Sequence, residues 1–476
     1  MQTVRLTFSR FHRKNPAKSI IAFSTRKSNS FYNASRGLEN QILQRLSYDY
    51  AIIGGGILGV SIAYWISSLY NCSVVIVDKE DHVGMHTSSR NTGVIHRPFY
   101  INPEKKKIFA RAAQKSYFMW RDIALKYDLL WNPVGTLEVA TSEDQVKTLD
   151  SYKTWSQQNG IEGEVELLDD KGVRKLEPEV VCAGAILSKN DTAVSYGDFT
   201  SFVFERAQKN GTKLTGNSRV VGISSESKLT VKHQDKSQET ISAGFIINAA
   251  GGGSVQIAHL LGVGTEYTDL FFRGEYWKVQ EPFASKIRRN IYSIPRYKEF
   301  PFLDPHFIIR ANGTREIGPN AVLVFGSGAY NGLTESKSQL ITKPLESPVM
   351  PKLKLFTSKT FLSLVWHEWR SSVSKEAMCY RVKGFIPSID SSFLYEKGLA
   401  GIRASVIDNN GFVPEALLLD GERSLHILNF NSPGATGAPA FSAYVVSKMI
   451  QQGHFDGKSK RRSESMWDFE QASSLD

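Results

Sequence analysis

The segment Gly54-Gly55-Gly56-Ile57-Leu58-Gly59 limits what this chain can fold into more than any other. A continuous apolar run, Tyr50-Ala51-Ile52-Ile53, precedes it within Tyr48–Ile53 and reads as a buried strand. Ile57, Val60, Ala63 and Ile66 predict a helix that starts at once, and Val74-Val75-Ile76-Val77 predicts a second strand leading to Asp78. Strand, glycine loop, helix, strand and acid follow one another as in a dinucleotide-binding βαβ unit. Gly54 permits the tight turn, Gly56 lets a pyrophosphate reach the backbone, and Gly59 lets the helix pack on the strand. The helix N-terminus offers unpaired N–H groups and the positive end of its dipole to phosphates. Asp78, with Lys79 beside it, sits where a carboxylate accepts from ribose hydroxyls. The plainer alternative is a tight strand–helix turn with no ligand.

Asp78 argues against a 2′-phosphate and suits NAD and FAD alike. The following segment, His86-Thr-Ser-Ser-Arg-Asn-Thr-Gly-Val-Ile-His96, is polar and contains glycine. A simple NAD-dependent unit needs no such insertion. In flavoproteins of the glutathione-reductase type, this stretch runs beside the pyrophosphate and reaches the isoalloxazine, with Ser88, Ser89, Arg90 and Asn91 as its contacts. FAD is therefore the expected cofactor.

Composition narrows the class further. Residues 1–38 hold eight of the 58 basic residues and no acid, so the body carries 50 basic against 47 acidic residues. The formal charge of +11 belongs to this arm, and no nucleic-acid partner is expected. The arm is Arg- and Ser-rich with scattered apolar residues, which predicts a mitochondrial transit peptide; a disordered basic arm is the alternative. No apolar run reaches 18 residues. Cys72, Cys182 and Cys379 lie far apart, which disfavours a disulfide framework or a zinc module, and no metal site is expected.

Beyond Phe271 the pattern changes. Phe271–Val279, Asn290–Ile294, Phe307–Arg310 and Ala321–Phe325 read as strands, and Asn312-Gly313 as a hairpin turn. They predict an antiparallel sheet covering the cofactor. Residues 352–381 read as helical, basic and aromatic, and are expected to pack on the domain; peripheral membrane contact is the alternative. Ile427–Phe430 reads as a strand, Ser432–Gly437 as a loop of small residues and Ala438–Ile450 as an apolar helix.

These segments, with Arg273-Gly-Glu275, Gly318-Pro-Asn-Ala321, Ala400-Gly-Ile-Arg403 and Ser432-Pro-Gly-Ala-Thr436, resemble the FAD-dependent amino and hydroxy acid oxidoreductases, the D-amino-acid oxidase superfamily. Within it, the chain is most similar to the L-2-hydroxyglutarate dehydrogenase family. The resemblance spans nearly the whole body and includes Pro301–His306. It implies an α/β (α+β) fold: a glutathione-reductase-type, Rossmann-like FAD-binding domain with an antiparallel-sheet substrate domain. The FAD-binding parts are expected at about 48–135, 195–265 and 395–455, and the substrate-domain parts at about 136–194 and 266–394. It further implies adenine contact through the backbone of Val221, close approach of the cofactor at Ala250 and Gly251, and a helix N-terminus at Gly434, Ala435 and Thr436 facing the flavin N1/O2 edge. Cys379 does not match an attachment site, so FAD is expected to be held non-covalently.

Oxidation of a 2-hydroxy acid moves a hydride from C2 to flavin N5 while a base takes the hydroxyl proton. It therefore needs a base near neutral pKa and a carboxylate clamp. His96 and His306 are the candidate bases, and Arg273 and Arg403 the candidate clamps. A quinone or another flavoprotein is the expected electron acceptor. One departure from the dehydrogenase pattern is Arg97-Pro98, where two small residues usually follow the histidine. It is expected to narrow or re-charge the site. An amino acid oxidase of the same fold and a non-catalytic flavin-binding scaffold remain open at this stage.

Overall fold

A computed structural model describes residues 47–296, 300, 302, 304–462 and 465–476. The transit-peptide reading of 1–38 lies outside the described residues, as do Pro301 and Leu303 of the family-like stretch. The fold is a mixture of helices and three main sheets, within the unit Tyr48–Asp476.

The first sheet is built on the strand Ser47–Ile53, whose last four residues are buried. It runs in the order Leu417–Gly421, Ser424–Leu428, Gln238–Asn248, Ser47–Ile53, Val74–Val77, Lys213–Thr215. Ser47–Ile53 pairs in parallel with Val74–Val77, which pairs in parallel with Lys213–Thr215. Such strands are buried on both faces, which is why they read as unbroken apolar runs. The helix Ile57–Leu69 crosses between the first two strands, with twelve of its residues buried. Against it pack the helices Tyr196–Lys209 and Gly434–Gln451, around Tyr64, Trp65 and Val446.

The second sheet has the order Leu394–Lys397, Trp277–Val279, Arg315–Gly318, His306–Ile309, Asn290–Ser293, Thr136–Ala140, Gly184–Ser188, Val165–Leu168. It is antiparallel except where Asn290–Ser293 runs parallel to Thr136–Ala140. Period-two alternation divides it. Leu137, Ile291, Phe307 and Ile317 belong to an apolar core on one face, while Glu138, Tyr292 and His306 line the cleft on the other. The Asn312-Gly313 turn forms as read, with Gly313 at φ 83°. It joins His306–Ile309 to Arg315–Gly318, a strand the apolar pattern alone did not mark.

The expected strand Phe271–Val279 is two strands in two sheets. Thr268–Gly274 pairs with Gly401–Asp408 and Val322–Val324 in the third sheet, and Trp277–Val279 joins the second. The chain changes sheets at Glu275 and Tyr276, where Glu275 N–H donates to Asn320 Oδ1 at 2.8 Å. The C-terminal loop is also shorter than expected. The helix begins at Gly434, so Gly434 to Gly437 are its first turn. The helical span 352–381 is three helices, Met350–Phe356, Lys359–Val373 and Lys375–Val382.

Candidate active site

One cleft, about 1940 Å³ including the space open to solvent, lies between the glycine loop, the second sheet and the C-terminal helix.

The glycine loop is held by contacts no other residue allows. Gly54 has φ 107°, and a Cβ there would lie 2.5 Å from the carbonyl oxygen of Ala249. A Cβ on Gly59 would lie 2.0 Å from the carbonyl oxygen of Gly54. These two residues press the helix and the end of the strand Gln238–Asn248 onto the loop. Gly56 lines the cleft itself. Asp78 lies beneath the loop. Its Oδ2 accepts from Gly55 N–H at 2.5 Å and its Oδ1 from Glu80 N–H at 2.8 Å. A carboxylate has about four acceptor positions, so lone pairs remain on both oxygens. Burial lowers the pKa of Lys79 beside it, and the charge of Arg219 lowers it further.

Thr87, Ser88, Arg90 and Asn91 line the cleft, and Ser88 Oγ accepts from Ile57 N–H at 2.9 Å. Ser89 does not. It is exposed, in a turn that sets its Cβ against Gly197. Gly251 lines the cleft with Ala249 and Gly252, while Ala250 packs in the apolar layer behind them. Gly434, Ala435 and Thr436 line it from the C-terminal helix. Val221 lies on the strand Ser218–Ile223 with its side chain 39 % exposed, outside the residues that line the cleft.

Two helices thus direct their N-termini into one cleft, at Gly56–Leu58 and at Gly434–Thr436. Neither has an acidic residue in its first turn. Backbone N–H groups and two positive dipole ends suit a ligand with an anionic pyrophosphate and an electron-rich ring edge. The residues present fit FAD.

His96 follows the short strand Val94–Ile95 and lines the cleft. Its Nδ1 is 2.8 Å from Asp191 Oδ2. Asp191 is fully buried, and its other oxygen accepts from Arg97 N–H at 2.9 Å and Ser188 Oγ–H at 2.6 Å. A carboxylate on Nδ1 fixes the proton there and leaves the Nε2 lone pair for the cleft, 3.4 Å from the Tyr292 hydroxyl. His306 stacks on Tyr292 at 3.8 Å between centroids. Its Nδ1–H donates to Asp304 O at 3.0 Å, and its buried Nε2 has no protein partner. Burial drives its pKa down to about 3, so it stays neutral.

The two arginines divide. Arg403 lines the cleft from the strand Gly401–Asp408, among Tyr100, Tyr276 and Tyr292. Burial lowers its pKa, against the opposing influence of Tyr276 and Tyr100. Lys106 lies near enough to feel Arg403, whose charge adds to burial in lowering the lysine's pKa. Arg273 is not in the cleft. Alternation along Thr268–Gly274 turns Phe272 and Gly274 inward and Arg273 away. Its Nε donates to Glu275 Oε1 at 3.1 Å and its guanidinium to Ala329 O at 3.0 Å.

Arg97 does not re-charge the site either. It is fully buried, its Nε and one terminal nitrogen each 2.7 Å from a Glu164 carboxylate oxygen, and its guanidinium stacks 4.3 Å above the Tyr117 ring. Glu164 also accepts from Asn190 Nδ2 at 2.9 Å. Arg97 therefore anchors the loop that carries Asp191, behind the cleft rather than in it.

Sequence reasoning missed Asp191, Tyr100, Tyr276 and Tyr292. It also missed Glu138, a buried carboxyl raised to about 8 by desolvation, which lines the cleft beside Tyr152. Cys379 is buried in the core of the second sheet, away from the cleft lining.

Comparison with known proteins agrees with this geometry. Residues 49–448 match the protein family described as FAD dependent oxidoreductase (DAO). Mitochondrial L-2-hydroxyglutarate dehydrogenase of Caenorhabditis briggsae is 28% identical over 439 residues, covering 90% of this chain and 98% of that one. The human mitochondrial enzyme of the same name is 28% identical, covering 85% and 89%. The Escherichia coli K12 enzyme is likewise 28% identical. Among solved structures, FAD-bound L-alpha-glycerophosphate oxidase from Mycoplasma pneumoniae superposes with a TM-score of 0.65 at 19% identity, covering 89% of this chain and 98% of that one. Glycine oxidase from Geobacillus kaustophilus gives 0.61 at 18% identity, covering 85% and 95%. These two share the fold.

Proposed function

The chain belongs to the FAD dependent oxidoreductase family, and from that premise we propose that it oxidises L-2-hydroxyglutarate to 2-oxoglutarate. The observation that carries this reading is the His96–Asp191 pair, with Nε2 open to the cleft that also holds Arg403. The relatives of that name, aligned over most of both chains, support the choice of acid.

Gly56, Ser88, Asn91, Gly251 and the helix N-terminus at Gly434 would hold FAD, which would supply the hydride acceptor. The protein's own part is to bind, orient and deprotonate. Arg403 grips the C1 carboxylate through its planar fork. His96 Nε2 takes the proton from the C2 hydroxyl, and Asp191 stabilises the imidazolium that results. Tyr100, Tyr276 and Tyr292 have their pKa values raised by burial and stay protonated, as neutral donors around the reacting carbon. Val221, whose side chain does not line the cleft, would meet the adenine only through its backbone. Electrons leave to a quinone or another flavoprotein. The Arg- and Ser-rich arm, together with eukaryotic relatives named mitochondrial, supports residence in the mitochondrion.

The test is an anaerobic titration of the purified flavoprotein with each enantiomer of 2-hydroxyglutarate, following the flavin absorbance. Bleaching by the L form and not the D form is expected. A flavin that dithionite reduces but neither enantiomer bleaches would overturn the substrate.

A further inference from the structure

Glu138 is an acid in the middle of a buried strand, Thr136–Ala140, whose five residues are all buried. Leu137 and Val139 point into the core of the second sheet, and alternation turns Glu138 to the cleft. The strands on either side set Tyr292 and Ile186 beside it in register. From the helix Glu143–Gln158, Tyr152 brings its hydroxyl to the carboxyl group. Tyr152 itself belongs to an apolar cluster with Phe99, Ile186 and Ile294.

No cation answers this acid. Among the described residues none forms an ion pair with Glu138, and the charge that acts on it is the negative one of Asp191. Burial raises its pKa to about 8, so the group is the neutral acid at neutral pH. A carboxyl group in such a place costs stability that an apolar side chain would not. What it offers in return is a hydrogen-bond donor inside the cleft, which a carboxylate has no means to be.

Its neighbours are those of the reacting groups. Tyr100 feels the charges of Asp191, Glu138 and Arg403, and its ring meets that of His96 edge-on at 5.9 Å. Tyr292, opposite Glu138 in the sheet, holds its hydroxyl 3.4 Å from His96 Nε2. Base, clamp and buried acid thus gather around the same two tyrosines. Arg403 meets one carboxylate of a diacid, and the other needs a donor of its own.

We infer that Glu138 selects for a dicarboxylate substrate: as the neutral acid it donates its O–H to the distal carboxylate, and as the anion it repels it. The inference rests on the reading of the substrate as a 2-hydroxy acid. A hydrogen bond from an acid to a carboxylate is charge-assisted and short. An ammonium group is the poorer occupant, because it calls for the ionised form that burial and Asp191 both oppose. The titratable groups facing Glu138 are Tyr152 from the helix, Tyr292 from the adjacent strand, Tyr100 from the turn Pro98–Tyr100, and Asp191, which is paired with His96. Burial raises the pKa of all three tyrosines, so they hold their protons while Glu138 titrates.

The test is binding of glutarate, butyrate and 5-aminopentanoate to the oxidised holoenzyme between pH 6.5 and 9.5. It is read from the shift of the flavin absorbance, so no turnover is needed. The Kd of wild type for glutarate should rise about tenfold from pH 7 to pH 9 as the protonated fraction falls. The Kd for butyrate, which lacks the second carboxylate, should not follow it. Glu138→Gln keeps a donor without a charge and should bind glutarate with no such rise. Glu138→Leu should weaken glutarate at least tenfold at pH 7 and leave butyrate little changed, and the Gln variant carries the test if the Leu variant fails to fold. A parallel rise for glutarate and butyrate would overturn the inference, as would coincident glutarate profiles of wild type and Glu138→Gln. So would 5-aminopentanoate binding more tightly than glutarate above pH 8 in wild type alone. The expected glutarate profile in a protein whose flavin L-2-hydroxyglutarate leaves oxidised would support the role of Glu138 and overturn the reaction instead.

Discussion

The imidazole of His96 and the carboxylate of Asp191 lie 2.8 Å apart, although 95 positions separate them in the chain. The pair should act as a unit. His96→Gln should slow flavin reduction by about 10²–10⁴-fold, the usual contribution of a positioned base. Asp191→Asn should slow it by on the order of 10-fold or more through loss of the tautomer and orientation. Rapid-mixing kinetics would measure both. A His96→Gln enzyme that reduces its flavin at the wild-type rate would remove His96 from the chemistry.

Arg403 and Arg273 should fail differently. Arg403→Met should raise KM for the hydroxy acid by roughly 30-fold or more, the cost of truncating one side of a buried charge pair. It should leave the flavin spectrum unchanged. Arg273→Met removes the nearest cation of Glu275, which keeps Lys397 at 3.7 Å and the Asn320 amide at 3.1 Å, and should cost about 1–3 kcal/mol of stability, with KM little altered. Urea denaturation beside steady-state kinetics separates the two, and a raised KM in Arg273→Met would return that residue to the site.

Gly59 and Gly56 offer a contrast within one loop. A Cβ on Gly59 meets backbone at 2.0 Å, whereas one on Gly56 meets only the Ser88 hydroxyl at 3.2 Å. Gly59→Ala should purify largely without flavin or fail to fold. Gly56→Ala should fold with weakened FAD binding. Flavin content per protein after gel filtration measures this, and a flavin-replete Gly59→Ala protein would show that the packing relaxes.

Stability should depend on pH in three stages. His306 has its folded pKa near 3 against about 6.5 unfolded, so its contribution falls as pH drops below 6.5. The slope is about 1.4 kcal/mol per pH unit, since the unfolded state binds the extra proton. His426, lowered to about 4 by burial, acts in the same direction. Glu138 has the opposite sign. Its folded pKa near 8 makes the folded state the better proton binder, so its contribution is complete below about 4.5 and is lost as pH rises through 8. Stability should climb from pH 3 to 6.5, by about 1.4 kcal/mol per pH unit above 4.5 where Glu138 offsets one of the two histidines, then decline to pH 8. Glu138→Gln should abolish the decline above pH 6.5, and coincident wild-type and variant profiles from urea midpoints would refute the assignment.

The first βαβ unit was legible because every constraint on it is local. Gly54 and Gly59 are fixed by backbone contacts within a few residues or at the end of one strand, and parallel strands advertise themselves as apolar runs. The site was less legible. Arg273 and Arg403 look alike in sequence, and only the phase of each strand against the cleft separates them. Asp191 sits in a polar turn with no periodic signal, and its role exists only once Asn190 and Arg97 have fixed the loop. Arg97 looked like a charge added to the site because Glu164, its neutralising partner, is 67 residues away.

The cleft also has an order in time. Its walls come from Gly56, Ala249, Arg403 and Gly434, so residues near both ends of the folded unit must meet before it closes. The strand Ser47–Ile53, first of the described strands, lies between Gln238–Asn248 and Val74–Val77, and the far side of Gln238–Asn248 is covered by Ser424–Leu428, the last of them. A ribosome-bound chain lacking residues beyond 424 has no complete cradle. Cofactor capture thus waits on the residues beyond 424, and a product that stops before them lacks part of the cradle.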